Sequence, residues 1–143
     1  MIHSKRLKKH KRTNDILNTL TTFYEKKIFI FERENHFMQA LNCIIVDDDE
    51  MDKLLVVSYA KRFSGLHIVG VFETAERALQ FLETHTIDVA FLDIEMPQMN
   101  GFQVLEAVEG IPFALIFVTA YDKFALKAFK YSAIDYLLKP IDS

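Results

Sequence analysis

The residues best suited to chemistry in this chain are acids that end apolar runs. Cys43-Ile44-Ile45-Val46 stops abruptly at Asp47, Asp48, Asp49 and Glu50, and Asp93 stands alone between Phe91-Leu92 and Ile94. Two further apolar runs end in groups of other kinds: Thr119 closes residues 113–119, and Lys139, with Pro140 behind it, follows residues 135–138. Carboxylates drawn together repel one another unless one is protonated or a cation lies among them. A hard divalent ion such as Mg²⁺ suits such a set, because it takes a few carboxylate or carbonyl oxygens and keeps several waters. An acidic run by itself reads as a solvated loop. Asp93 tips the balance, since a purely structural residue at the end of an apolar run is more often apolar. A carboxylate beside such an ion can attack a phosphoryl group and form an acyl phosphate. The hydroxyl of Thr119 and the ammonium of Lys139 are donors of the kind that charge on the transferring oxygens needs, although each taken singly reads as a cap or a surface lysine.

These groups need a scaffold that gathers strand ends. Residues 43–46 read as a buried strand, and 51–63 as an amphipathic helix with Leu54, Leu55, Tyr59 and Phe63 near one face and Gly65 about where it stops. A second strand covers 67–72; Thr74 then caps a helix whose apolar face is Ala75, Ala78, Leu79 and Leu82. Residues 88–93 form a third strand, and a turn over 96–101 leads to a short helix showing Phe102, Leu105 and Val108, closed by Gly110. Pro112 marks the next boundary, before a fourth strand over 113–119, a helix over 122–132 with Phe124, Ala125, Ala128 and Phe129, and a fifth strand over 135–138. Continuously apolar strands alternating with helices predict an α/β fold with a parallel sheet wound in both directions. In such a sheet ligands bind beyond the carboxyl ends of the strands, where all the groups named above fall.

The 143 residues suffice for one domain, and a composition 50% apolar and 26% charged excludes wholesale disorder. The net charge of −3 hides an asymmetry: residues 1–40 hold nine Lys/Arg against four Asp/Glu, and residues 41–143 hold eight against sixteen. No stretch approaches the roughly 20 apolar residues of a membrane span. The basic run over 5–12 is not followed by the apolar segment of a signal peptide, so the chain reads as cytoplasmic. Cys43, the single cysteine, reads as a buried strand residue rather than a reactive thiol. Gly65 and Gly70 have the interval of a phosphate-binding Walker loop but lack the following Lys-Ser/Thr. Acids in the first loop, where Gly, Ser or Thr would hold a phosphate, disfavour a flavin.

Ile45-Val46-Asp47-Asp48-Asp49, Phe91-Leu92-Asp93-Ile94-Glu95-Met96-Pro97 with Gly101, Val118-Thr119-Ala120 and Tyr136-Leu137-Leu138-Lys139-Pro140 occur in the order found in the receiver domain of bacterial two-component response regulators. The chain resembles that family over about residues 41–143. The resemblance implies a flavodoxin-like sheet of order 2-1-3-4-5, with Asp93 as phospho-acceptor. It also implies Mg²⁺ held by Asp47, Asp48, Asp93 and the backbone carbonyl of Glu95. Thr119 and Lys139 would contact the phosphoryl oxygens, and Tyr136 would be the switch aromatic that moves with Thr119; without the family pattern Tyr136 reads equally as a half-buried aromatic of an edge strand. Glu95 and Tyr121 match positions that flank the path of the hydrolytic water, where an anion and a bulky ring are expected to slow dephosphorylation. The five histidines, His3, His10, His36, His67 and His85, are scattered, so the phosphohistidine donor is expected to be a separate sensor histidine kinase. Homodimerisation through the fourth helix and fifth strand is a further expectation.

Residues 120–129 and 133–141 are similar, more narrowly, to receivers of the LytTR type, which precede a DNA-binding domain built mainly of β-strands. The chain holds no such domain, so DNA binding and control of transcription are expected only through an output domain outside it. By the same resemblance the receiver is truncated and lacks the final helix that follows the Lys-Pro turn. Uncovered apolar surface along strands one, three and five, favouring self-association, is the corresponding expectation. The basic extension over 1–40 has three readings: a disordered arm that contacts nucleic-acid phosphates, a stretch upstream of a true start at Met38, or a segment, residues 16–31, that docks where the final helix is missing. The rival from another class is a Mg²⁺-dependent phosphatase of the haloacid dehalogenase type. Its nucleophile follows the first strand with a second acid two residues on, whereas Asp93 follows the third.

Overall fold

The computed structural model describes residues 40–140 together with Thr21, Thr22 and Glu25. Five strands alternate with four helices among the described residues of the sheet region: β1 Leu41–Val46, α1 Glu50–Arg62, β2 Leu66–Phe72, α2 Ala75–Thr84, β3 Val89–Leu92, α3 Gly101–Ala107, β4 Ala114–Thr119, α4 Ala125–Lys130 and β5 Asp135–Leu138. The strands form one parallel sheet in the order β2-β1-β3-β4-β5. Both faces of the central strands are apolar because both are buried. Ile44, Val46, Ala90, Leu92, Leu115 and Phe117 pack towards α2 and α3, while Cys43, Ile45, Val89, Phe91, Ile116 and Val118 lie on the face of α1.

Local chemistry starts the helices. Asp49 caps α1 by accepting from the Asp52 N–H at 3.0 Å, and Thr74 caps α2 by accepting from the Arg77 N–H at 3.3 Å. Asn100 and Gln103 close a reciprocal capping box on α3, at 2.9 and 3.0 Å. The fourth helix is shorter than the periodicity suggested: residues 122–124 form a turn, Phe124 offers no side-chain cap, and Ser132 turns the chain out with a φ of 55°.

Two expectations are corrected. The buried face of α1 is Lys53, Val56 and Ala60, with Val57 half-buried, whereas Leu54 is 52% exposed. Packing on the sheet selects the rotational phase of the helix, which seats Val56 and Ala60 against it in place of Leu54. Nor is apolar surface uncovered along β1, β3 and β5, since Cys43, Ile45, Val89, Phe91 and Leu137 are all buried. The extension over 1–39 lies outside the described residues apart from Thr21, Thr22 and Glu25, as do residues 141–143. No helix among the described residues is long and apolar enough to cross a membrane.

Candidate functional site

Register builds the site. Val46 pairs with Leu92 across β1 and β3, so the residue that follows each, Asp47 and Asp93, emerges at the same level on adjacent strands. The Asp93 N–H donates to the Val46 carbonyl at 2.9 Å, continuing the ladder one step. Thr119 pairs with Leu138 across β4 and β5, and the Lys139 N–H donates to the Thr119 carbonyl at 2.8 Å. Four strand ends thus deliver two carboxylates, a hydroxyl and an ammonium to one edge of the sheet.

Asp47, Asp93 and Thr119 are buried. The Lys139 Nζ lies 2.9 Å from Asp47 Oδ2, 2.9 Å from Asp52 Oδ2 and 3.1 Å from Asp93 Oδ2. Burial pushes the Asp93 carboxyl up to about 7; the neighbouring charge of Asp47 adds to the rise and Lys139 opposes it. Asp47 is also raised, by burial, against the opposing pull of Lys139 and of the Asp49 N–H, which its Oδ1 accepts at 2.9 Å. Burial alone would lower the pKa of Lys139, but its bonds to Asp47 and Asp52 and the charge of Asp93 outweigh that and hold it above the ordinary lysine range. The cluster contains more acid than one ammonium neutralises.

Asp48 is exposed at the rim, yet one oxygen each from Asp47, Asp48 and Asp93 lie within 4.8 Å of one another. An all-oxygen set of this size, with negative charge in excess, fits a hard divalent cation. Glu95 carries an exposed side chain on the loop after Asp93. That loop is held by the Gly101 N–H, which donates to the Ile94 carbonyl at 2.8 Å, and by the lack of a side chain at Gly101, where a Cβ would stand 2.4 Å from the Asp93 carbonyl oxygen.

Thr119 is connected to Tyr136 through one residue. The Tyr121 N–H donates to Thr119 Oγ1 at 3.3 Å, and the Tyr136 hydroxyl donates to the Tyr121 carbonyl. The Tyr136 ring lies against Phe117, with centroids 6.2 Å apart, and burial foremost holds its phenol above the usual range. Tyr121 itself is 44% exposed, its ring edge-on to Phe124.

The site residues singled out from the sequence therefore fall at this edge, on a loop beside it or, for Tyr136, on the strand that leads to it. Asp52 was not singled out. An acid in the first turn of a helix has a sufficient explanation in the helix dipole, so only its contact with Lys139 distinguishes it. Cys43 is fully buried in β1, and burial raises its thiol to about 12.

A doubly wound sheet of this order, with an aspartate pair at its carboxyl edge, is the architecture of signalling receiver domains. The response regulator receiver domain model matches residues 43–143, and the chain belongs to that family. It is 40% identical over 112 residues to an uncharacterized response regulatory protein of Vibrio cholerae, covering 73% of this chain and 41% of the relative. Against the sensory transduction protein LytT of Bacillus anthracis it is 36% identical over 104 residues, 71% of this chain and 42% of that protein, which agrees with the LytTR-type resemblance. Among solved structures, the response regulatory domain of mrkE from Klebsiella pneumoniae superposes with a TM-score of 0.67 at 30% identity, covering 71% of this chain and 85% of that one. The response regulator TrrA of Thermotoga maritima, solved in complex with Mg²⁺ and BeF, matches at 25% identity with a TM-score of 0.61, covering 71% and 89%. The chain spans about two fifths of the length of the curated relatives it matches. It is the receiver of a response regulator, a signalling switch, and the haloacid dehalogenase alternative is set aside.

Proposed function

We propose that Asp93 accepts a phosphoryl group from a phosphohistidine of a sensor histidine kinase. One Asp93 carboxylate oxygen attacks phosphorus, the P–N bond to the donor imidazole breaks, and the imidazole leaves with the bonding electron pair and takes up a proton. The product is an acyl phosphate on Asp93. Asp47, Asp48, Asp93 and the Glu95 carbonyl would hold Mg²⁺, which supplies a counter-charge to the phosphoryl oxygens when bound. Lys139, already within ion-pair distance of Asp93, and the Thr119 hydroxyl donate to the same oxygens. The observation that carries this reading is the buried Asp47–Asp93 pair with Lys139 between them.

The switch follows from the hydrogen bonds. When the Thr119 hydroxyl turns to the phosphoryl group, the Tyr121 N–H loses its acceptor, and the Tyr121 carbonyl that holds the Tyr136 hydroxyl shifts with it. A charge event at Asp93 thereby reaches the surface of α4 and β5, where a homodimer or an output domain would read it. In a longer protein that output would be transcriptional, as the similarity to LytT suggests, and the setting would be the cytoplasm, where a kinase presents its phosphohistidine. The extension over 1–40 is read as a unit apart from the receiver over 41–143.

Incubation with Mg²⁺ and a small acyl phosphate, followed by intact mass measurement, tests the acceptor. The expected result is one added phosphoryl group, lost in Asp93→Asn and on chelation of the metal. Turnover of free phosphomonoesters, or uptake that survives in Asp93→Asn, would overturn it.

A further inference from the structure

Phosphoryl transfer by the residues above gives no task to Asp52, although it touches Lys139. The Lys139 Nζ lies as close to Asp52 Oδ2 as to Asp47 Oδ2, 2.9 Å each, and closer than the 3.1 Å to Asp93 Oδ2. Yet among the described residues the oxygen set suited to a divalent cation comprises Asp47, Asp48 and Asp93 and leaves Asp52 out.

The backbone holds Asp52 in place. The Asp49 N–H donates to Asp47 Oδ1 at 2.9 Å, and the Asp52 N–H donates to Asp49 Oδ1 at 3.0 Å, so the loop that carries the acid pair also fixes the first turn of α1. The Asp52 carboxylate then reaches Lys139, which is itself paired with Asp47. A ring of contacts closes through Asp47, Asp49, Asp52 and Lys139.

An ammonium has three N–H donors, and three carboxylates surround this one. Donation to a phosphoryl oxygen therefore takes Lys139 from one of them. The side chains of Asp47 and Asp93 are 2% and 5% exposed, whereas that of Asp52 is 27% exposed, so water replaces the ammonium most cheaply at Asp52.

We propose, resting on Asp93 as the phospho-acceptor, that Asp52 is a positioning residue that holds Lys139 and competes for it with the phosphoryl group, so that its charge sets how tightly the site retains that group. Loss of the charge frees a Lys139 donor for the phosphoryl oxygens. In the unphosphorylated site the same loss leaves Lys139 to Asp47 and Asp93 alone, which makes those two harder for a cation to claim.

Asp52→Asn keeps the size and one acceptor oxygen and removes the charge. Binding of Mg²⁺ alone, and of fluoroberyllate as a phosphoryl mimic at saturating Mg²⁺, is followed through backbone amide shifts in the full chain. The variant is expected to bind Mg²⁺ about twofold to threefold more weakly and fluoroberyllate about fivefold more tightly. A substitution that merely loosened the fold would weaken both. Unchanged or weaker fluoroberyllate binding in Asp52→Asn overturns the proposal and leaves Asp93 as acceptor, whereas a wild type that binds no fluoroberyllate at saturating Mg²⁺ overturns both. A second measurement needs neither ligand. In chelator, the urea midpoints of Asp52→Asn, Lys139→Met and the double variant form a cycle in which the contribution of Asp52 to the helix dipole cancels. The double variant should unfold at a higher midpoint than the two single shifts sum to, and additive shifts overturn the proposal.

Discussion

Asp47 and Asp93 stand side by side because the residues before them, Val46 and Leu92, are partners in the β1–β3 ladder. Two carboxylates far apart in the chain are thereby fixed at the end of a buried sheet, with Lys139 within 2.9 Å of one and 3.1 Å of the other. The carboxylates at this edge outnumber the one ammonium among them.

Removing the Asp93 charge stabilises the metal-free chain at neutral and higher pH. Asp93 titrates at about 7 in the folded chain, against about 4 when unfolded. Between those values the folded state retains a proton that the unfolded chain has released, so stability falls as pH rises through that window. Asp93→Asn is expected to exceed the wild type by on the order of 2 kcal/mol at about pH 8, with the gap closing towards about pH 4 to 5. Urea unfolding in chelator across that range checks it; a gap that does not vary with pH would contradict it.

Lys139→Met leaves two buried carboxylates without their counter-charge. A loss of about 3 kcal/mol at about pH 8 is expected, because breaking a buried pair costs more than the pair contributes. Combining it with Asp93→Asn should restore part of that loss. The same substitution should suppress uptake of a phosphoryl group, measured by intact mass, since the donor to its oxygens is gone.

Gly101→Ala should disturb the site from behind. Its Cβ would meet the Asp93 carbonyl oxygen at 2.4 Å and the Ile94 Cα at 3.1 Å, both backbone atoms that cannot swing aside. Lower phosphoryl uptake and a lower thermal midpoint are expected together. Gly110 has a φ of +72°, but a methyl group there would meet no atom within 4 Å, so Gly110→Ala should cost only about 1 to 2 kcal/mol and leave uptake intact.

Tyr121 and Glu95, both exposed beside the site, are expected to prolong the acyl phosphate by obstructing and repelling water. The Tyr121→Ala, Glu95→Gln double variant should lose phosphate faster, by roughly threefold to tenfold, or about 1 kcal/mol in barrier. A decay time course after removal of the donor measures this, and slower loss in the variant would sink the idea.

Tyr136→Phe removes the hydroxyl that donates to the Tyr121 carbonyl while keeping the ring against Phe117. Phosphoryl uptake should persist, and the chemical-shift response of α4 to that uptake should shrink. A full response in the variant would show that the hydrogen bond does not couple Thr119 to the surface.

The candidate site was legible because its residues break local rules. An acid at the end of an apolar run, as at Val46-Asp47 and Leu92-Asp93, conflicts with burial unless chemistry requires it, and that conflict is visible one residue at a time. The alternation of apolar runs with amphipathic stretches likewise pointed to the α/β class and the parallel sheet. Asp52 broke no rule, because an acid in a first helical turn is ordinary, and its contact with Lys139 depends on how α1 sits over β1.

Spacing along the chain was therefore enough to set the type of each element and to put the reactive groups at strand ends. Other features exist only in the packed molecule. The phase of α1, which buries Val56 and Ala60 and exposes Leu54, depends on contact with the sheet, since valine and leucine are interchangeable in a pattern of apolar positions. The raised pKa of Asp93 needs Asp47 and a buried setting beside it, and those are supplied only by strand register. Burial of Ile116 and Val118 is likewise a tertiary property, because no local pattern records which surfaces a fold covers.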